Sequence, residues 1–219
     1  MTHSLIFGAS GFLGQSVVKE LLKSNVQVSA VTRSFQPNQQ ERFNPKVNWL
    51  EADLYNGKEW QHLLKGVDNV IDLVGIYAED PDKGITFDRV IYQAAKAIAD
   101  EVAKSNVSRF IYVSVDLSNE NNPKGYLKAK REAENYLGGK AFDTTIFRPG
   151  LMYGQAKPST VTLAEKILKN LDDNSPSWPN RPLSVKTVAK AIAQVVSEGS
   201  KKPIYEIDDM DALINKNDN

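Results

Sequence analysis

Directly after a short apolar run, Leu5 to Phe7, the chain reads GASGFLG, with Gly8, Gly11 and Gly14 opening onto Leu13, Val17, Val18, Leu21 and Leu22 at helical spacing. Strand, glycine-rich turn and amphipathic helix in that order form a strong constraint on architecture. Glycine permits a tight turn and close backbone approach, and a helix N-terminus offers unpaired N–H groups at the positive end of the helix dipole. A pyrophosphate fits that cradle, so Gly8, Ser10, Gly11, Phe12, Leu13 and Gly14 are expected to contact a dinucleotide. The plainer alternative is a turn that merely packs closely.

The rest of the chain repeats the rhythm. Val26 to Val31, Val47 to Leu50, Val70 to Val74, Phe110 to Val113, Thr145 to Phe147 and Ile204 to Ile207 read as further strands. Phe87, Val90, Ile91, Ala94, Ile98 and Val102 form an amphipathic helix before the strand at Phe110. Alternating strands and helices predict an α/β fold, a doubly wound parallel sheet of Rossmann type. With 219 residues and 41% hydrophobic content, one domain over residues 1–219 is the economical reading. Loop signals lie at Phe35 to Pro45, Glu79 to Gly84, Leu117 to Gly125 and Asp172 to Pro182, and the polar Asn215 to Asn219 is expected to fray.

Composition removes several chemistries. There is no cysteine, hence no thiolate nucleophile, and His3 and His62 stand outside any ligand spacing, so no metal site is expected. Lys plus Arg balance Asp plus Glu at 27 each, which leaves no global field to gather nucleic acid. The N-terminal MTHSLIFGASGF has no basic leader, and no stretch approaches membrane-spanning length. A cytoplasmic location is the expectation.

The end of the second strand, VSAVTRS, carries no acidic residue for two ribose hydroxyls but supplies Arg33 between Thr32 and Ser34. That set suits the 2′-phosphate of NADP(H), unless Arg33 is an ordinary solvated side chain. Asp53 in EADL is placed either to accept from an adenine amino group or to cap the following helix, with Leu54 beside it. Gly75, ending VIDLVG, allows close approach to cofactor or simply a turn, and Pro149 and Gly150 stiffen a loop after the sixth strand.

GYLKAKREAENYL sets Tyr126 and Lys130 four residues apart, on one helix face. An ammonium near a phenol favours phenolate and would draw its pKa down from about 10. Ser114 stands at the C-terminal end of the fifth strand, the edge where open α/β sheets bind ligands. Tyrosine and lysine at this spacing also occur on any wet, charged helix face. Tyr153 either lines a substrate pocket or covers the core; Trp178 either joins a lid or anchors its loop. Glu79, Asp80 and Asp82 read as a solvated acidic loop.

GASGFLG, EADL, VIDLVG, FIYVSVD, YLKAK and IFRPGLMYG, followed by RPLSVKTVAKAI, occur in an order that resembles the short-chain dehydrogenase/reductase superfamily, its extended and atypical branches above all. The likeness runs from Leu5 to about Ile207. Through GYLKAKREAE and FRPGLMYG it is most similar to the group holding the nucleotide-binding accessory subunit of mitochondrial complex I and a fungal protein of coenzyme Q biosynthesis. The resemblance implies that Ser114 holds a substrate oxygen, Tyr126 transfers a proton, and Lys130 binds nicotinamide ribose and tunes the tyrosine. The chain departs from the family in having no asparagine between Gly84 and Ser105 for the fourth member of the proton relay; Gln93 is the available polar group.

After FRPG only a short stretch, residues 151–182, precedes or opens RPLSVKTVAKAI, which counts against a nucleotide-sugar substrate domain and leaves room for a small lid. The expected function is an NADP(H)-dependent oxidoreductase acting on a carbonyl or alcohol, with a quinone-related substrate suggested by the resembling group. A cofactor-binding scaffold and an epimerase-like isomerase or dehydratase with retained cofactor are the alternatives. A protein partner or a homodimer through the helices within Gly84 to Ser105 and Gly125 to Leu137 would fit the family.

Overall fold

A computed structural model describes residues 1–34, 43–172, 175 and 177–215 of the chain. Most of the Phe35 to Pro45 loop and the tail beyond Asn215 lie outside these residues.

The first unit is β1 (His3–Phe7), α1 (Phe12–Lys23) and β2 (Gln27–Thr32), with β3 (Asn48–Glu51) and the short α2 (Gly57–Trp60) following. β4 (Asn69–Asp72) leads through a π-helical turn, Asp88–Gln93, into α3 (Ala94–Val102) and β5 (Arg109–Val113). Then come α4 (Lys124–Gly138), β6 (Asp143–Phe147), β7 (Met152–Tyr153), α5 (Pro158–Lys169), β8 (Leu183–Ser184), α6 (Val185–Glu198), β9 (Ile204–Tyr205) and α7 (Ile207–Asn215).

Seven strands pair in parallel in the order β3-β2-β1-β4-β5-β6-β9, so the order reverses beside β1 and opens a crevice between β1 and β4. Both faces are covered, which explains why the strands read as apolar runs rather than alternating ones. Period-two alternation still sorts the side chains. Ile6, Ile71 and Ile111 pack with α1 and α6 on one face; Leu5, Phe7, Val70, Phe110 and Tyr112 pack with α3 and α4 on the other.

The strand expected at Ile204 to Ile207 stops at Tyr205, because Ile207 opens α7. Asp208 and Asp209 occupy that helix's first turn, where carboxylates suit the dipole, and Asp209 Oδ2 accepts the Glu206 N–H at 2.9 Å. The two-residue pair β7–β8 was not anticipated, being too short to leave a periodic signal.

Two arginines fasten the loops at the C-terminal edge of the sheet. Arg148, just after β6, donates to Glu134 of α4 and to Glu206 at 3.0 Å, which holds the Pro149–Gly150 turn in place and raises the arginine pKa. Arg181 is buried, pairs with Asp208 and Asp211 of α7, and stacks over Trp178 at 4.8 Å.

Candidate active site

Over the crevice, at the C-terminal ends of the strands, lies a cavity of about 800 Å³. Its floor is the glycine turn. Gly8 has φ +83°, and a Cβ there would lie 2.9 Å from the Leu73 carbonyl, so this position accepts glycine alone. At Gly14 a Cβ would stand 2.2 Å from the Gly8 carbonyl oxygen; the third glycine is what lets α1 pack on the turn. Gly11 is the residue before the helix, so the first-turn N–H groups of α1 have no intrahelical partner and open on the cavity. Gly8, Gly11, Phe12, Leu13 and Gly14 all line it. These features fit the diphosphate of a dinucleotide.

The remaining expected contacts divide. Gly75 and Gly150 line the cavity. Pro149 is buried behind Gly150, and Ser10 is outside the lining, its carbonyl taking the Gln15 side-chain amide at 3.1 Å. Leu54 is a core residue whose carbonyl accepts the Trp60 indole N–H at 3.0 Å, so its side chain does not reach the cavity. Arg33 and Asp53 sit beyond the ends of β2 and β3, exposed and outside the cavity lining. Asp53 Oδ1 accepts the Tyr55 N–H at 3.0 Å, closing a turn; the residue preceding α2 is Asn56, so the capping role expected of Asp53 is not what it performs. Thr32 Oγ1 donates to the Ser34 carbonyl at 3.3 Å, which shapes the turn that presents Arg33.

Ser114, Tyr126 and Lys130 are brought together on the cavity wall. Ser114 is buried with its Oγ lacking a hydrogen-bond partner among the described residues, an arrangement that leaves it ready for a ligand oxygen. Lys130 is buried; its Nζ donates to the Val113 carbonyl at 2.7 Å and lies 4.7 Å from the Tyr112 ring centre and 6.0 Å from that of Tyr126. Burial lowers its pKa to about 8, against the pull of Asp72 and Glu134.

Tyr126 reverses one expectation. Its pKa is not drawn down but pushed up to about 12, by burial first and by Tyr77 second. Desolvation outweighs the nearby ammonium because Lys130 is turned toward the strand carbonyl.

Other expectations are corrected or settled. Gln93 is exposed and outside the cavity, so it does not fill the fourth relay position. Tyr153 is half-buried on β7 and outside the lining, and Trp178 serves as the platform for Arg181. Glu79 accepts the Phe87 N–H at 2.7 Å and Asp80 pairs with Lys83 at 2.6 Å, so this loop's acids are tied up locally, while Asp82 is exposed.

Two residues escaped the sequence reading. Asp72 is fully buried at the end of β4, in register with Tyr112 of β5; its Oδ1 accepts the Val74 N–H at 2.9 Å and its Oδ2 has no partner among the described residues. Burial raises its pKa to about 6, and Lys130 opposes that rise. In VIDLVG it had the look of one more strand residue. Tyr77 packs edge-on against Tyr126 with centres 5.4 Å apart, and its hydroxyl donates to Asn122 Oδ1 at 3.3 Å. Among the described residues no cluster of metal-ligating side chains occurs.

Comparison with known proteins agrees with the fold. The chain is similar to MIOREX complex component 2 of Saccharomyces cerevisiae, 26% identical over 201 residues, covering 69% of this chain and 73% of the relative. It is also similar to the mitochondrial NADH-ubiquinone oxidoreductase 40 kDa subunit of Neurospora crassa, 29% identical over 195 residues, covering 87% of this chain but only 51% of that protein. Among solved structures, UDP-glucose 4-epimerase of Thermus thermophilus with NAD superposes with a TM-score of 0.69 at 18% identity, over 93% of this chain and 76% of the other; that likeness shows the fold. One of these relatives is thus a subunit of an oxidoreductase, and the structural neighbour is an epimerase. A family model described as NAD(P)H-binding matches residues 8–199, and the chain belongs to that family.

Proposed function

We propose that the protein is an NADP(H)-dependent oxidoreductase that reduces a carbonyl carbon or oxidises the corresponding alcohol. The observation that carries this is the convergence of Ser114, Tyr126 and Lys130 on the wall of the cavity whose floor is the glycine cradle. When bound, the nicotinamide cofactor supplies or takes up the hydride. The chain does the rest. The first turn of α1 binds diphosphate, and Arg33, exposed at the end of β2, binds the 2′-phosphate, with Asp53 facing the adenosine end. Lys130 holds ribose hydroxyls once its ammonium is shared with a ligand, and Gly75 leaves room for close approach, whereas the missing side chain of Gly150 makes space for the Arg181 carbonyl, 3.1 Å from where a Cβ would stand.

Ser114 Oγ donates to the substrate oxygen, and Tyr126 gives that oxygen its proton on reduction or removes it on oxidation. A phenol with a pKa of about 12 stays protonated across the physiological range, which suits a proton donor and therefore the reductive direction. In the oxidative direction the group would have to ionise first.

A second reading is a scaffold that holds the cofactor and contacts a protein partner. The similarity to a subunit of a larger assembly favours it. A cytoplasmic location forms no part of either reading: no described helix is long and apolar enough to cross a membrane, and the Neurospora crassa relative is mitochondrial.

Calorimetric titration of cofactor-stripped protein with NADPH and NADH, on wild type and Tyr126→Phe, separates the two. It is followed by NADPH oxidation against a panel of carbonyls and quinones. The enzyme reading expects equal NADPH affinity in both proteins and turnover lowered about 10²- to 10⁴-fold in the variant, the usual size of a lost general acid. Equal binding with no turnover by either protein across the panel supports the scaffold.

A further inference from the structure

Four large hydrophobic side chains are strongly exposed among the described residues, and three of them, Tyr77, Leu163 and Ile167, line the same cavity. Leu163 and Ile167 are 47% and 37% exposed and sit one turn apart on α5. With Thr160 before them and Leu171 after, they form one stripe of that helix and its exit, facing the cavity. Across the opening stands Tyr77, 62% exposed, whose ring continues inward to the edge of Tyr126. An apolar track therefore runs from the reacting tyrosine to the rim. Such a patch on a folded surface marks a binding site.

Charge narrows the occupant. Of the described residues that line the cavity only Asp116, Lys130 and Lys157 carry charge. Lys130 is buried with its ammonium on the Val113 carbonyl, and the two arginines nearby are held by carboxylates, Arg148 by Glu134 and Glu206, Arg181 by Asp208 and Asp211. Lys157 alone is a poor receptor for a substrate diphosphate, which normally meets several cations. Asn119, Asn121 and Asn122, on the loop that follows β5, also line the cavity without adding charge, and Asn122 Oδ1 accepts from the Tyr77 hydroxyl at 3.3 Å. Ser114 and Tyr126 supply uncharged polar groups where an oxygen would sit, and Leu163 and Ile167 supply apolar side chains at the rim.

We infer that the substrate is amphiphilic: a carbonyl or alcohol head placed at Ser114 and Tyr126, with a hydrocarbon tail that leaves over Tyr77, Leu163 and Ile167. This rests on the oxidoreductase reading for the identity of the head, while the tail follows from the rim alone.

The test is a homologous series of methyl ketones, from about four to about twelve carbons, given to the NADPH-loaded protein. Turnover is measured first. Binding of the matching secondary alcohols is then followed, independently of turnover, by methyl NMR signals of Leu163 and Ile167. Each methylene taken from water is worth roughly fourfold in affinity. The expected result is an increase in kcat/KM, and in alcohol affinity, of at least about tenfold from the shortest members to those of about ten carbons. The double variant Leu163→Gln, Ile167→Gln should lose most of that preference; both residues are already partly exposed, so folding is not at stake.

Chain-length-dependent binding without turnover supports the tail and refutes the oxidoreductase reading. Turnover that is indifferent to chain length does the opposite. A slope preserved in the double variant, or methyl shifts that follow protein concentration alone, would overturn the inference, the latter making the rim a contact between copies of the chain.

Discussion

Lys130 directs its ammonium at the Val113 carbonyl and the face of Tyr112, so it acts on the strand end rather than on the phenol of Tyr126. The ammonium keeps N–H donors beyond the one given to that carbonyl, so a ribose hydroxyl can share Nζ with it, and the tuning of Tyr126 is then a property of the loaded site. Arg33 has the opposite character. It is exposed at the edge of the sheet, beside the turn that Thr32 closes, where a charge-assisted contact is worth about 1.5–3 kcal/mol. Arg33→Ala is therefore expected to weaken NADPH roughly 10- to 100-fold and leave NADH nearly unaffected. Calorimetry with both cofactors checks it, and an equal loss for the two would remove Arg33 from the 2′-phosphate.

Glycines in two helices should respond to the same substitution with opposite signs. Gly14 of α1 lies against the turn it follows, and a methyl there meets the Gly8 carbonyl oxygen at 2.2 Å and Ala9 backbone at 2.6 Å. Gly138, in the last turn of α4, has nothing within 4 Å of the same position. Gly14→Ala should cost about 1–3 kcal/mol through overpacking and also loosen NADPH, whereas Gly138→Ala should stabilise by about 0.4–1 kcal/mol through chain entropy. Urea unfolding of both variants tests the pair; a Gly14→Ala protein as stable as wild type would mean that the packing of α1 on its turn is not what fixes the cradle. The turn, its helix and the seven paired strands were legible because each leaves a periodic or punctuating mark along the chain. The α5 stripe was not read, since its meaning depends on what it faces. Ser114, Tyr126 and Lys130 were legible by order along the chain. Asp72 was hidden inside a strand, and the direction of the Tyr126 shift depends on burial, which spacing does not encode.

At the scale of the whole molecule, Asp72 and Lys130 are a buried acid and a buried base beneath one cavity, and among the described residues each has a backbone partner rather than a charged one. Their titrations set a stability profile with two arms. Asp72 holds its proton more tightly folded than unfolded, so its contribution is fully present below pH 3.8 and is lost as pH rises through about 6. Lys130 binds its proton less tightly folded than unfolded. Its charge therefore burdens the fold below about pH 8, and stability returns as pH rises from about 8 to 10.5. At neutral pH both groups are charged, and the molecule carries both costs. From about pH 8 to 10.5 the unfolding midpoint of wild type should gain on that of Lys130→Met; below about pH 8 the difference also drifts, because Asp72 loses the pull of Lys130 and titrates higher in the variant. In Asp72→Asn the favourable pull on the ammonium is gone, so the Lys130 midpoint should fall below about 8 and the rise should begin nearer neutrality. Curves for wild type and Lys130→Met that run parallel from about pH 8 to 10.5 would mean the ammonium is solvated in the folded protein. An unmoved midpoint in Asp72→Asn would show that the carboxylate does not reach it.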